Sequence, residues 1–137
     1  VKEPGVKDIP TPTPAELLIL KVLWDQGPSS VRDVHRQLLL SRDDLAYNTV
    51  QTLLRLMESK RLVTHHSEGR TFIYTPRFTR EESAARFLDR VFDGAASQLV
   101  LSLLRAERIS AAELEQMKAL IDEARRKRRT EGKGGQP

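Results

Sequence analysis

The sequence predicts a mainly α chain: three helices, a β-hairpin, and then a second set of helices. Two observations carry that prediction. Four segments open on a serine or threonine followed three residues later by an acid, namely Thr13/Glu16, Ser30/Asp33, Thr79/Glu82 and Ser110/Glu113. At that spacing the hydroxyl and the carboxylate each accept a free N–H of a helix's first turn. Between residues 62 and 75 the helical apolar period gives way to two short β-branched and aromatic runs, Leu62–His66 and Thr71–Thr75, which read as strands.

Taken in order, residues 1–12 form an expected disordered tail, because Pro4, Gly5, Pro10 and Pro12 interrupt any period. The first helix runs from about Pro14 to Asp25, with Leu17, Leu20 and Trp24 on one face and Ile19 and Leu23 beside it, and Gly27–Pro28 stops it. Pro14 suits the first helical position, where its missing N–H costs nothing. The second helix, about Val31 to Leu40, buries Val34 and Leu38. The third, about Ala46 to Lys60, places Val50, Leu53, Leu54 and Met57 on one apolar face at i, i+3, i+4 and i+7. The hairpin turns at Gly69, which supplies a positive φ, with Arg70 at its tip, and Pro76 ends the second strand. Phe87, Leu88, Val91 and Phe92 mark a fourth helix, broken near Asp93–Gly94. Leu99, Val100, Leu103 and Leu104 mark a fifth, and Leu114, Met117, Leu120 and Ile121 a last one. The expected division is a DNA-binding domain at 13–78, a helical dimerisation domain at 79–124, and a basic, disordered tail at 125–137.

Composition narrows the function. The 137 residues are 39% hydrophobic and 31% charged, enough for a modest core. There is no cysteine, so disulfides, thiolate metal sites and thiol catalysis are excluded. No apolar run approaches the roughly 20 residues of a membrane span, and the first residues lack the apolar core of a signal peptide. A cytoplasmic protein without membrane partners is expected. No phosphate-binding glycine loop, zinc-peptidase helix or nucleophile elbow appears, so no enzyme and no cofactor are expected. His65 and His66 are adjacent strand residues that point to opposite faces and do not grip one metal ion together.

The third helix points to nucleic acid. Opposite its apolar face lie Asn48, Gln51, Thr52 and Arg55, again at i, i+3, i+4 and i+7. Amides pair bidentately with adenine, a guanidinium with guanine, and a threonine methyl with the thymine methyl. The helix carries no acid before Glu58, while Tyr47 and Thr49 stand at its start, where hydroxyl and backbone N–H groups meet phosphates. Lys60 and Arg70 add positive charge. With a support helix before it and a hairpin after it, this is the order of a winged helix-turn-helix. The alternative, a helical module whose winged domain docks a protein, needs apolar or aromatic anchors on that face, and the four residues provide none. The apolar helices after residue 79 have too little of their own chain to bury against, so association with a second copy is expected, with folding back on the first domain as the other option. Arg125–Arg129 either adds non-specific DNA attraction or is a solvated helix end whose cations suit the dipole.

These segments together resemble the penicillinase-repressor family, the BlaI/MecI/CopY group of winged-helix repressors. Ala15–Leu17 through Val22–Trp24 is similar to its opening helix, Asn48–Arg55 to its recognition helix, Gly69–Tyr74 to its wing, and Ala95–Leu104 with Ser110–Ile121 to its dimerisation helices. The resemblance implies a homodimeric repressor on a palindromic operator with TACA/TGTA-type half-sites. It makes Thr49, Gln51, Thr52 and Arg55 base or phosphate contacts and Arg70 a wing contact. It also implies relief of repression when a sensor-linked metallopeptidase triggers cleavage between the dimerisation helices. The chain departs from the family twice. It lacks the cysteine cluster of the copper-responsive branch, and Ser102–Leu103 stands where the β-lactam branch has an Asn–Phe bond, which leaves Ser102–Leu103 as the candidate cleavage site.

Overall fold

The computed structural model describes residues 9–134, so the expected disorder at residues 1–8 and 135–137 lies outside the described residues. The chain divides into two compact units, 1–94 and 95–137.

In the first unit the order is α1 (Pro14–Gln26), α2 (Val31–Leu40), α3 (Tyr47–Ser59), β1 (Val63–Glu68), β2 (Thr71–Pro76) and α4 (Arg80–Phe92). The predicted hydroxyl–acid pairs at Thr13/Glu16, Ser30/Asp33 and Thr79/Glu82 all close as reciprocal caps. Ile19, Leu20 and Leu23 of α1, Val34 and Leu38 of α2, and Val50, Leu54 and Met57 of α3 form the core, joined by Leu62, Val63 and Tyr74 from the hairpin. Leu53 packs on its margin. α2 and α3 thus bury the stripes their sequences set out, whereas in α1 the buried stripe is Ile19, Leu20 and Leu23, and Leu17 and Trp24 of the expected face are half-buried. Burial of each large side chain contributes about 1.5–3 kcal/mol.

The strands pair antiparallel from Val63↔Pro76 to Glu68↔Thr71, leaving a two-residue turn of Gly69–Arg70. Gly69 has φ +63° while Arg70 has no positive φ, which matches a hairpin turn with glycine at its first central position. Pro76 closes β2 from within the strand as its last residue. Sequence periodicity did not reveal a third partner: Ser29, between α1 and α2, exchanges both backbone hydrogen bonds with Tyr74, at 3.1 and 2.8 Å. This bridge fastens the hairpin to the helix-turn-helix.

Four helices end on a residue other than glycine in the left-handed region, at Arg42, Arg61, Asp93 and Glu107. After α3 the N–H of Leu62 reaches the carbonyl of Met57 and that of Arg61 reaches Glu58; Asp43→Leu38 and Arg108→Leu103 repeat the geometry after α2 and α5. This is the Schellman closure usually built on glycine, and each non-glycine residue there costs on the order of 1 kcal/mol.

Two expectations about the chain ends are corrected. Residues 9–12 carry no helix or strand, but Ile9 is buried against the core and is not part of a disordered tail. At the other end α6 (Ala111–Gly134) runs through the segment read as a disordered basic tail from residue 125. Arg125–Arg129 are good helix formers, and the glycines at 132 and 134 only weaken the last turn. The division between units also falls later than residue 79. The Trp24 indole N–H donates to the Phe78 carbonyl at 3.0 Å, Arg80 pairs with Asp25 at 2.7 Å and lies over the Trp24 ring, and Phe78 is buried. These contacts fasten the start of α4 to α1.

The second unit contains α5 (Ala96–Arg105) and α6, and none of its described side chains is fully buried. Ser110 caps α6 with Glu113 in the predicted reciprocal pair. Those bonds hold the Glu113 carboxyl below its usual value.

One ion pair ties the first unit together from within. Glu16 is 1% exposed, and its carboxylate takes both the Thr13 N–H at 2.8 Å and the Lys60 ammonium at 2.9 Å. Burial pushes the carboxyl up, but the Thr13 N–H and the Lys60 charge outweigh burial and hold it below the ordinary range. Its stabilising contribution is therefore complete above the unfolded carboxylate value and is lost as pH falls through the lowered one. Lys60→Ala is expected to cost about 1–3 kcal/mol at neutral pH, toward the lower part because the lysine is half exposed. In urea titrations the gap between variant and wild type should close below the carboxylate range; a pH-independent gap would show that the Glu16 charge is not what Lys60 serves.

Candidate nucleic-acid interface

α3 is the only helix of the first unit whose first turn has no side-chain cap, and that turn carries no acid. Ala46 stands at the cap position, so the first N–H groups have no hydroxyl or carboxylate of their own to bond. Every other helix start in the unit is closed by a carboxylate. The difference leaves the N-terminal end of α3 electropositive and open to an anion.

Because Val50, Leu54 and Met57 are fully buried, the opposite side of α3 faces out. Asn48, Thr52 and Arg55 are exposed and Gln51 is half-buried. Tyr47 and Thr49 are exposed at the helix start, and the Tyr47 ring meets His35 of α2 edge-on, with centroids 5.6 Å apart. A groove of about 560 Å³ runs between α3 and the hairpin, lined by Tyr47, Gln51 and Arg55 on one side and Arg70, Thr71, Phe72 and Tyr74 on the other. The fold therefore brings Tyr47, Gln51 and Arg55 together with Arg70, four residues expected to act jointly.

Lys60 does not join them. It stands at the C-cap of α3 and is held by the Glu16 carboxylate, so its charge is committed to the fold. The ammonium expected to add charge to the DNA-facing surface is thus paired within the fold. A residue that sequence reading overlooked takes part instead: Arg32, in the first turn of α2, is exposed and lines the groove with Arg55 and Arg70. Three guanidiniums thus border one groove. Only the pairing of α2 with the wing through Ser29–Tyr74 brings Arg32 there, and no local spacing signals it.

The wing is braced from α3. Glu58, the first acid of α3, meets His65 Nδ1 of β1 at 2.7 Å, and the His65 ring stacks on Phe72 at 4.2 Å. The helix that carries Arg55 and the hairpin that carries Arg70 are thereby linked through one imidazole.

The penicillinase repressor family model matches residues 12–123. The chain belongs to the penicillinase repressor family. It is 28% identical to the penicillinase repressor of Bacillus licheniformis over 128 residues, covering 90% of this chain and 99% of that one. It is 32% identical over 113 residues to the transcriptional regulator BlaI of Mycobacterium tuberculosis, covering 79% and 80%. Among solved structures it is similar to the solution structure of the DNA binding domain of the repressor BlaI, with 32% identity, a TM-score of 0.48, and coverage of 54% of this chain and 89% of that one.

The candidate cleavage bond of this penicillinase-repressor relative, Ser102–Leu103, lies inside α5 rather than in the connection to α6. The Ser102 hydroxyl donates to the Gln98 carbonyl at 2.9 Å. Among the described residues no cluster of acids, histidines or cysteines is suited to a metal ion, and no helix is long and apolar enough to cross a membrane.

If Arg32 meets a phosphate, Arg32→Ala should weaken binding to all duplexes alike and lower the salt-dependence slope by about one. Fluorescence anisotropy over a range of salt concentrations checks this, and an unchanged slope would remove Arg32 from the interface.

Proposed function

We propose that this chain is a sequence-specific transcriptional repressor that binds duplex DNA through α3 and the hairpin, as a homodimer on a palindromic operator. The observation that carries the reading is the two-sided α3: one face sealed in the core, and the other presenting Asn48, Gln51, Thr52 and Arg55 beside Arg70, with no carboxylate on its first two turns. Amide, hydroxyl and guanidinium groups in a row suit base edges in a major groove, while the uncapped helix start and Arg32 suit the flanking phosphates. The names of its relatives, repressors and regulators of transcription, agree with that use of the surface.

Dimer formation is supported by apolar side chains that the single chain leaves in water. Phe87 and Val91 on α4, Val100, Leu103 and Leu104 on α5, and Leu114, Leu120 and Ile121 on α6 are all exposed, while Leu88, Phe92, Leu99 and Met117 are half-buried. A repeated copy buries such faces by symmetry, and two recognition helices then meet two half-sites. Induction through a sensor-linked metallopeptidase at Ser102–Leu103 would require α5 to unwind first, because the bond lies in helical backbone.

Binding to a duplex selected from a random library tests the reading. Gln51→Ala and Arg55→Ala should each cost about 1–3 kcal/mol on that duplex and relax preference at one base position per half-site. Wild-type affinity and preference in both variants would overturn the assignment of α3. Sedimentation of residues 1–94 should show a monomer where the full chain is a dimer; a dimeric 1–94 would move the association surface off α5 and α6.

A further inference from the structure

Two arginines of α4 converge on one uncharged oxygen. Arg86 and Arg90 lie one helical turn apart, and a terminal nitrogen of Arg86 donates to the Thr11 hydroxyl oxygen at 2.7 Å. A terminal nitrogen of Arg90 donates to the same oxygen. Neither guanidinium forms an ion pair among the described residues. The Nε of Arg86 is buried without a hydrogen-bond partner among them. Like charges at i and i+4 repel, and a buried guanidinium N–H calls for an acceptor. Burial, and then the neighbouring Arg90 charge, lower the proton affinity of Arg86. A hydroxyl supplies two lone pairs and no charge, so among the described residues no anion offsets the pair and the Arg86 Nε has no acceptor.

Thr11 itself is exposed, lies in a segment without helix or strand, and precedes Pro12. Thr13, two residues on and also before a proline, differs: its hydroxyl already accepts the Glu16 N–H at 3.2 Å as the cap of α1. The two threonines are therefore distinguishable by their surroundings.

We propose that Thr11 is a phosphorylation site whose phosphate is held by Arg86 and Arg90. The transfer forms a bond between Thr11 Oγ1 and the γ-phosphorus of a nucleoside triphosphate supplied by a serine/threonine kinase. The bridging β–γ P–O bond breaks, the hydroxyl proton passes to the kinase's base, and a nucleoside diphosphate leaves. The product carries close to two negative charges and three acceptor oxygens, enough for bidentate guanidinium pairing and for the Arg86 Nε. Ile9, two residues before Thr11, is anchored in the core, and a charged bond at Thr11 would fasten the lead-in segment onto α4. Phe87 and Val91, each next to one of the two arginines, belong to the exposed apolar face of that helix, so the modification would act beside the surface offered for self-association. The phosphate seat itself does not depend on DNA binding.

The test uses the full chain with phosphothreonine installed at position 11 during synthesis. Phosphorus NMR should show its second ionisation at least half a pH unit below the ordinary value of about 6, and the phosphorylated chain should melt higher than the unmodified one. In Arg90→Gln, and in Arg86→Gln where circular dichroism shows it folded, the ionisation should return toward that of a phosphothreonine–proline peptide. A phosphate that titrates in the wild-type chain as it does in the peptide, or identically in wild type and Arg90→Gln, would overturn the proposal.

Discussion

The seating of α3 is the constraint on which the rest depends. Val50, Leu54 and Met57 are completely withdrawn from water, and they recur at the helical period, so their burial fixes the rotation of the helix about its axis. Once that rotation is fixed, the outward direction of Asn48, Gln51, Thr52 and Arg55 follows from geometry alone. The Glu16–Lys60 pair fixes a second coordinate. It ties the C-cap residue of α3 to the first turn of α1, 44 residues away, and the Schellman closure at Arg61 turns the chain straight into β1. A recognition surface needs such rigidity, because misplacement of about an ångström at a base edge sacrifices the bidentate geometry that distinguishes one base pair from another.

The wing is held to this frame at two points of different chemistry. The Ser29–Tyr74 bridge is backbone to backbone and tolerates many side chains, while the Glu58–His65–Phe72 contact is built from side chains. Together they put Arg70 and Arg55 on the borders of one groove and draw Arg32 in from α2. The distribution of helix caps serves the same end. Carboxylates close α1, α2 and α4, and α3 alone in this unit is left open. A stronger cap at Ala46 would stabilise the helix by about 1 kcal/mol but occupy the N–H groups that face the ligand.

Much of this was legible in the sequence because it is local. Each hydroxyl–acid pair predicted a helix start, and each start formed. The two faces of α3 and the glycine turn of the hairpin are likewise written in spacings of three or four residues. What was not legible is long-range or breaks a local rule. The partner of Lys60 is the buried Glu16, which reads in sequence only as a capping acid. Arg32 reads as an ordinary surface cation until the Ser29–Tyr74 bridge brings the wing beside it. The closures at Arg42, Arg61 and Glu107 carry no glycine, so the usual signal of a left-handed helix end is missing. The helix through Arg125–Arg129 outlasts its expected end because their propensity outweighs two glycines near its last turn.

The most direct measurement of the central claim is a map of backbone amides perturbed when the full chain is titrated with its selected duplex, followed by heteronuclear NMR. The largest shifts are expected at Tyr47, Asn48, Thr49, Gln51, Thr52 and Arg55, at Gly69–Arg70 and at Arg32, with Val50, Leu54 and Met57 and the Glu16–Lys60 contact little changed. Perturbation concentrated on α5 or α6, with α3 and the wing silent, would contradict it.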